Sequence, residues 1–218
     1  MQVWTLILCG EHVSTDLWIT EETRNLSALC VETLCSFYSC GKVSQLLLGH
    51  SPRKISPCFK QALLILRPKL LRDTWQKHPG AVASYKWLLF QIHSPHLSEY
   101  VDVVSPTALI ILDAHDVERR LMGLHCISHI IDNVVSVNSV NITHGVHLRM
   151  RKQRIFLFQA RTELCQRGLH QVFYKALEPM LWQRTDSQVE PVLACITQLL
   201  TLTERGYTRS AEPGMVSK

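Results

Sequence analysis

The apolar residues of this 218-residue chain recur at helical spacing almost everywhere. The sequence has no sustained alternation of apolar and polar residues, which is the pattern of half-buried strands, and no Asn-Gly or Asp-Gly hairpin pair. Hydrophobic residues make up 46% of the chain and charged residues 19%, which suffices for a substantial core. The sequence therefore predicts an all-α protein.

Capping residues, prolines and glycines indicate where these helices begin and end. Thr20 and Thr23 open a predicted helix that runs to about Tyr38 and stops at Gly41, its expected C-terminal cap. Another helix is predicted after Pro57 and should kink or end at Pro68, because proline lacks a backbone donor. The other predicted helices are residues 81–92, a short helix followed by a turn at Pro106, 107–112, 116–135, 161–177 and 187–203.

Short connections that contain proline or glycine separate the predicted helices. Helices joined in this way form antiparallel pairs, and stacked pairs build α-solenoids of the HEAT type. No strict sequence period is present, so an irregular helical bundle is the alternative. We expect a HEAT-like segment over residues 1–135, a basic insert over 136–167, further repeats over 168–204 and a disordered tail over 205–218.

The eight cysteines include no CxxC pair, and several lie within apolar runs. This usage favours reduced core residues in a cytosolic or nuclear protein over an extracellular disulfide framework. The first residues, MQVWTLILCG, are apolar but have no basic start, so we do not interpret them as a signal peptide. No later run reaches the roughly 20 apolar residues that span a bilayer.

The segment LMGLHCISHII places three potential metal ligands, His125, Cys126 and His129, on one predicted helix. A catalytic zinc site needs three protein ligands and a water, and a zinc-protease helix needs a glutamate where this chain has Cys126. We therefore interpret the three residues, together with Met122, as a second packed stripe of the helix. Metal binding and hydrogen-bonded histidines at an interface are the alternatives.

Other catalytic patterns are missing from the sequence. It has no glycine-rich phosphate-binding loop and no GxSxG motif, and no single cysteine–histidine pair stands out. Trp75, in the polar segment RDTWQKH, is interpreted as an anchor packed between helices. We predict no catalytic residue, no metal site and no cofactor.

Residues 149–167 carry six Arg or Lys residues and one acid, a net charge of +5 that equals the charge of the whole chain. Arg149, Arg151, Lys152 and Arg154 are suited to bind nucleic acid or acidic protein segments. The interleaved IFLF gives the segment the amphipathic character of a partner- or membrane-binding helix. A solvated basic helix or loop is the simpler interpretation.

Two long stretches of the chain, residues 64–89 and 96–134, carry a resemblance to a known family. Weaker similarity covers residues 17–41 and 169–204. The residues that carry it are Leu66, Pro68, Leu71, Trp75, Pro79, Trp87, Gly123, His125, Cys126 and His129. In these features the chain resembles the Tel-two-interacting protein two family, the small subunit of the triple-T (TTT) co-chaperone complex.

The resemblance implies a HEAT-like, non-enzymatic adaptor that binds the two larger triple-T subunits. It also implies that this complex works with the ninety-kilodalton heat-shock chaperone to stabilise phosphatidylinositol-3-kinase-related kinases, including mTOR and the DNA-damage kinases. The implied location is cytoplasmic and nuclear, without membrane or nucleic-acid binding. A module that binds nucleic acid or acidic proteins through residues 149–154 is the alternative function, and a metal-dependent enzyme built on His125 and His129 is the less favoured one.

Members of that family are longer than this chain, and they make only a short connection where this chain has residues 136–167. The resemblance therefore implies a truncated or alternatively spliced form. The chain also begins with the apolar VWTLIL and passes from the apolar ACITQLLTL directly into a polar tail. Because terminal solenoid repeats normally have a polar outer face, we expect exposed apolar surface on both end helices and poor solubility of the isolated chain.

Overall fold

The computed structural model describes residues 2–14, 18–135, 168–182 and 186–207. All regular structure in these ranges is helical and no strand occurs in them, which confirms the all-α prediction for this part of the chain. The α-helices are α1 (Gln2–Glu11), α2 (Glu21–Phe37), α3 (Val43–Leu48), α4 (Phe59–Leu66), α5 (Pro79–Gln91), α6 (Val101–Leu112), α7 (Val117–Val135), α8 (Leu169–Trp182) and α9 (Asp186–Tyr207). Three 3-10 helices span Arg67–Lys69, Trp75–Lys77 and His96–Tyr100.

The described residues fall into two compact units. Unit 1 comprises Met1–His93 and Tyr100–Ile110, and unit 2 comprises Ser94–Glu99 and Ile111–Lys218. In unit 1, α1 packs against α2, α4 and α5, and α4 also packs against α5. In unit 2, α9 packs against both α7 and α8. Each unit therefore has a helix that joins several others.

Helix α2 begins as the sequence predicted. The Thr20 hydroxyl accepts a hydrogen bond from the Thr23 backbone N–H at 3.2 Å. In return, the Thr23 hydroxyl accepts one from the Thr20 backbone N–H at 3.1 Å. This reciprocal capping box satisfies two backbone donors that a helix start would otherwise leave unpaired.

Helix α2 ends near Tyr38, as predicted, but the predicted cap at Gly41 is wrong. Its C-cap residue is Tyr38, and the left-handed residue that follows is Ser39, with φ 54°, rather than Gly41. The Ser51 hydroxyl donates a hydrogen bond to the Tyr38 carbonyl oxygen. A contact with a later part of the chain therefore holds the helix end, and the local sequence contains no signal for it.

Two prolines behave differently. Pro68 ends α4 as predicted, and the chain continues as a 3-10 helix. The turn predicted at Pro106 is wrong, because α6 runs through this residue. Proline removes one backbone hydrogen bond from a helix, but Val104 and Ala108 on either side of it are fully buried. The burial of these apolar neighbours offsets the lost bond.

The remaining predicted helices exist with shifted ends. Helices α5 and α7 match the predicted ranges 81–92 and 116–135 within two residues. Helix α8 continues through Pro179, beyond the predicted end, and α9 extends to Tyr207, into the predicted tail. Helix α3 was not predicted. The basic insert, the start of the predicted helix 161–177 and the tail after Tyr207 lie outside the described residues.

Helix α5 is the most enclosed element of unit 1. Its buried residues surround the whole helix rather than one face: Ala81, Val82, Ala83, Ser84, Tyr85, Leu88 and Leu89. Polar groups in such a position must find partners within the protein. The Ser84 hydroxyl donates to the Ile7 carbonyl oxygen at 3.0 Å, and the Tyr85 hydroxyl donates to the Val104 carbonyl oxygen at 2.7 Å.

Helix α7 carries the core of unit 2. The face predicted from helical spacing is buried, with at most 1% exposure: Leu124, Ile127, Ile130, Ile131 and Val134.

Gly123 brings the same helix close to the end of α6. A Cβ atom at Gly123 would lie 2.4 Å from the backbone nitrogen of Leu112 and 2.5 Å from its Cα. Only glycine fits at this crossing.

We expect Gly123→Ala to lower the free energy of unfolding by about 1–3 kcal/mol, the usual range for overpacked cores. The new methyl group would overlap backbone atoms of Leu112, so α6 or α7 must shift. Urea denaturation followed by circular dichroism measures this change.

Gly80→Ala is the matched control. Gly80 is also helical, but a Cβ there would meet only side-chain atoms of Glu11, at 3.4 Å or more. Alanine has the higher helix propensity, so this control should be neutral or more stable by up to about 1 kcal/mol. A Gly123→Ala variant as stable as the wild type would contradict the close crossing of α6 and α7.

Candidate interaction site

The structure separates the three potential metal ligands of α7. Cys126 is fully buried, His129 is 9% exposed and His125 is exposed. In the described part of the chain, no group of three His, Cys, Asp or Glu side chains is placed to hold a metal ion. The predicted packed stripe is therefore confirmed for Cys126 and His129 and wrong for His125, which lies on the side of α7 that its neighbours leave uncovered.

Buried His129 belongs to a polar cluster that holds unit 2 together. The Asn133 side-chain amide donates to the His129 carbonyl oxygen at 2.8 Å, and its nitrogen lies 3.3 Å from the His129 Nδ1 atom. The Asn133 Oδ1 atom accepts a hydrogen bond from the Ser94 backbone N–H at 3.0 Å. The cluster ties the segment before the third 3-10 helix to α7, which is a structural role.

A second polar contact joins α7 to α9. The Gln198 Nε2 atom donates to Asp132 Oδ1 at 2.5 Å, and the Ser128 hydroxyl lies 3.4 Å from Asp132 Oδ2. Burial raises the pKa of the neighbouring Cys195 thiol. The thiol is therefore protonated at neutral pH, and a protonated thiol is a poor nucleophile. This contact too serves the packing of the two helices.

The seven cysteines among the described residues form no disulfide with one another, and five of them are buried as predicted. Burial, with a smaller contribution from Cys30, raises the pKa of the Cys9 thiol to about 11. Burial alone raises the pKa of Cys58 to about 11. Because reactivity requires the thiolate, these residues act as small hydrophobic core residues.

Two other predictions concern single segments. Trp75 is 4% exposed, and its 3-10 helix packs against α5, so its predicted role as an anchor is confirmed. The basic segment 149–167 lies outside the described residues, and binding through Arg149, Arg151, Lys152 and Arg154 stays a prediction. None of the described helices is long and apolar enough to cross a membrane.

Helix α2 differs from the core helices, because most of its residues are exposed. Of its 17 residues only Ser27 is buried. Val31 and Leu34, on the side that meets α1 and α3, are half-buried. Apolar side chains on the opposite side face solvent, at 61% exposure for Leu26, 59% for Leu29 and 60% for Phe37.

These exposed residues form one row. Leu26, Leu29 and Phe37 occupy positions i, i+3 and i+11 of the helix, and Thr33 lies between them at i+7, so that the four side chains follow one line along its surface. We call these four residues the α2 stripe. Scattered apolar residues are normal on a protein surface, but a continuous exposed row indicates an interaction site.

The charges beside the α2 stripe are mainly acidic. Glu21, Glu22 and Glu32 of the same helix are exposed. Arg24 is the one basic residue of α2, and its Nε atom is buried. At the far end of the stripe, the Arg53 guanidinium lies 5.2 Å from the centre of the Phe37 ring. The stripe is therefore an apolar row with two carboxylates at its start, one carboxylate beside it and one cation at its far end.

Other helices expose apolar side chains as well. Trp4 and Leu8 of α1 are 57% and 55% exposed, and Leu193 and Leu200 of α9 are 48% and 49% exposed. This agrees with the expectation of exposed apolar surface on both end helices, whereas poor solubility stays a prediction. The two leucines of α9 are matched in exposure to the α2 stripe and lie in the other unit.

We expect His129→Ala to lower the free energy of unfolding by about 1–3 kcal/mol, because it empties a buried position beside Asn133. His125→Ala is the control and should change stability by less than about 0.5 kcal/mol, since His125 is exposed. Thermal or urea denaturation of both variants measures the difference. Equal losses of stability would contradict the different burial of the two histidines.

Comparison with known proteins identifies the family. Residues 59–183 match the Tti2 family model. The chain is 24% identical over 194 residues to "TELO2-interacting protein 2" of Homo sapiens. That alignment covers 89% of this chain and 33% of the human protein. It is 23% identical over 213 residues to the protein of the same name from Rattus norvegicus. That alignment covers 98% of this chain and 37% of the rat protein.

The chain thus spans about a third of the length of the curated relatives that it matches. No solved structure matches it. The family match includes both long stretches on which the resemblance rested, residues 64–89 and 96–134, and it covers more than half of the chain. The chain belongs to the Tti2 family.

Proposed function

We propose that this chain is a non-enzymatic adaptor subunit of the triple-T co-chaperone complex and that it works by surface contact with the larger subunits. Family membership supports this, together with the name of its relatives, which states an interaction with TELO2. The structural observation that supports it best is the α2 stripe, in which three large apolar side chains are each about 60% exposed in one row. Such surfaces are typical of sites that bind other proteins.

The chemistry of the described core is consistent with an adaptor. His129, Asp132 and Asn133 of α7 hydrogen-bond with their neighbours in the fold, and burial raises the pKa of the Cys9 and Cys58 thiols. These groups contribute to stability rather than to a reaction. We therefore assign the function to the exposed helix faces and not to the residue types that resemble catalytic ones.

We also propose that the helices are repeats of an irregular HEAT-like solenoid. Helix α1 contacts its successor α2 and also α4 and α5, and α9 contacts α7 and α8. Packing between helices that are close in sequence is the basis of such repeats. In the complex, the proposed result is the folding and stabilisation of phosphatidylinositol-3-kinase-related kinases, with the heat-shock chaperone, in the cytoplasm and the nucleus.

Co-purification tests the proposal. We expect the tagged 218-residue chain to retain co-expressed TELO2 through washes at physiological salt, as the full-length human relative should under the same conditions. If the human relative retains TELO2 and this chain does not, the adaptor function is wrong for this chain. A tagged, unrelated helical protein controls for non-specific retention.

A further inference from the structure

We propose that the α2 stripe is the docking surface for a single amphipathic helix of a partner, with leucine-like residues in its seam and Lys or Arg along its borders. This inference rests on the proposed adaptor function for the identity of the partner. The side chains of α2 determine the chemistry of the docked helix.

The spacing of the stripe fits a helix as its occupant. Leu26, Leu29 and Thr33 lie at i, i+3 and i+7, the spacing of a coiled-coil seam and of helix-in-groove anchors. With a rise of 1.5 Å per residue, the eleven residue steps from Leu26 to Phe37 span roughly 16 Å, or about three helical turns. A partner helix of similar length can cover the whole row.

The fold of unit 1 does not use this row. Helix α2 packs on α1 and α3 through its other side, where Ser27 is buried and Val31 and Leu34 are half-buried. Leu26, Leu29 and Phe37 remain about 60% exposed. The helix therefore has two apolar sides, one for its own unit and one that is open to a partner.

The exposed carboxylates of α2 favour a partner helix of opposite charge. Glu32 is exposed beside the stripe, at a position where interhelical charge pairs set partner choice in coiled coils, and exposed Glu22 lies in line with the stripe, one turn before Leu26. A helix bordered by Lys or Arg gains from these carboxylates, and a helix bordered by Glu is repelled. Arg53, over the Phe37 ring, is the cation at the end of the row and does not neutralise its acidic length.

A designed peptide tests the docking surface without any assumption about TELO2. The probe is a synthetic four-heptad helix with leucine in the seam and lysine at both borders, and its matched control carries glutamate at the borders. We expect the lysine peptide to bind the full chain at least about tenfold more tightly than the glutamate peptide, as measured by fluorescence anisotropy. Exchanging the charges by Glu22→Lys and Glu32→Lys should reverse that preference.

The variant that removes the stripe is Leu26→Gln, Leu29→Gln, Phe37→Gln. Glutamine is a good helix former, and the three side chains are largely exposed, so the helical circular dichroism spectrum should stay unchanged. We expect lysine-peptide affinity to fall at least about tenfold. Leu193→Gln with Leu200→Gln, at comparable exposure on α9, is the control and should bind the peptide like the wild type.

The outcomes separate this inference from the adaptor function. If the lysine peptide fails to bind, or binds the stripe variant as tightly as the wild type, the docking surface is wrong whatever TELO2 does. Self-association that the stripe variant abolishes would assign the surface to a second copy of the chain and overturn the proposal. If the wild type retains no TELO2, the adaptor function fails, and the peptide still decides the surface. Loss of TELO2 from the stripe variant but not from the α9 variant supports both.

Discussion

The enclosure of α5 is the constraint on which unit 1 depends. A helix that is buried on all sides needs neighbours on all sides, and α1, α4 and the 3-10 helix of Trp75 provide them. The crossing with α1 is close because Gly10 has no side chain: a Cβ there would lie 2.9 Å from both Ser84 Oγ and Trp87 Cε3. Helix α2 packs on α1 and α3 through one side, and Leu26, Leu29 and Phe37 stay about 60% exposed.

Unit 2 shows why residue types alone are a poor guide to function. Helix α7 carries two histidines and a cysteine within one turn and a half, a set that suggests a metal or a catalytic site. The structure distributes them between the core and the solvent, with Cys126 enclosed and His129 beside Asn133. The polar groups of α7 hold adjacent segments in place, and the apolar face beside them provides the core.

Features that depend on a few adjacent residues could be predicted from the sequence. The Thr20–Thr23 capping box, the end of α4 at Pro68 and the buried face of α7 are of this kind. Features that depend on distant neighbours could not. Pro106 lies within α6, where its neighbours Val104 and Ala108 are buried, and Ser51 rather than Gly41 holds the C-terminal end of α2 at Tyr38. In the same way, α2 has apolar residues on two sides, and its packing on α1 and α3 leaves one of these sides exposed.

The proposed surface contact between this chain and its partner runs through α2. Hydrogen–deuterium exchange of the chain, alone and in complex with TELO2, measures this most directly, because backbone amides exchange more slowly where a partner restricts opening and excludes water. We expect slower exchange in peptides from Glu21–Phe37 on complex formation, with little change in the already buried core of α7. Slower exchange confined to α8 and α9, with α2 unchanged, would contradict it.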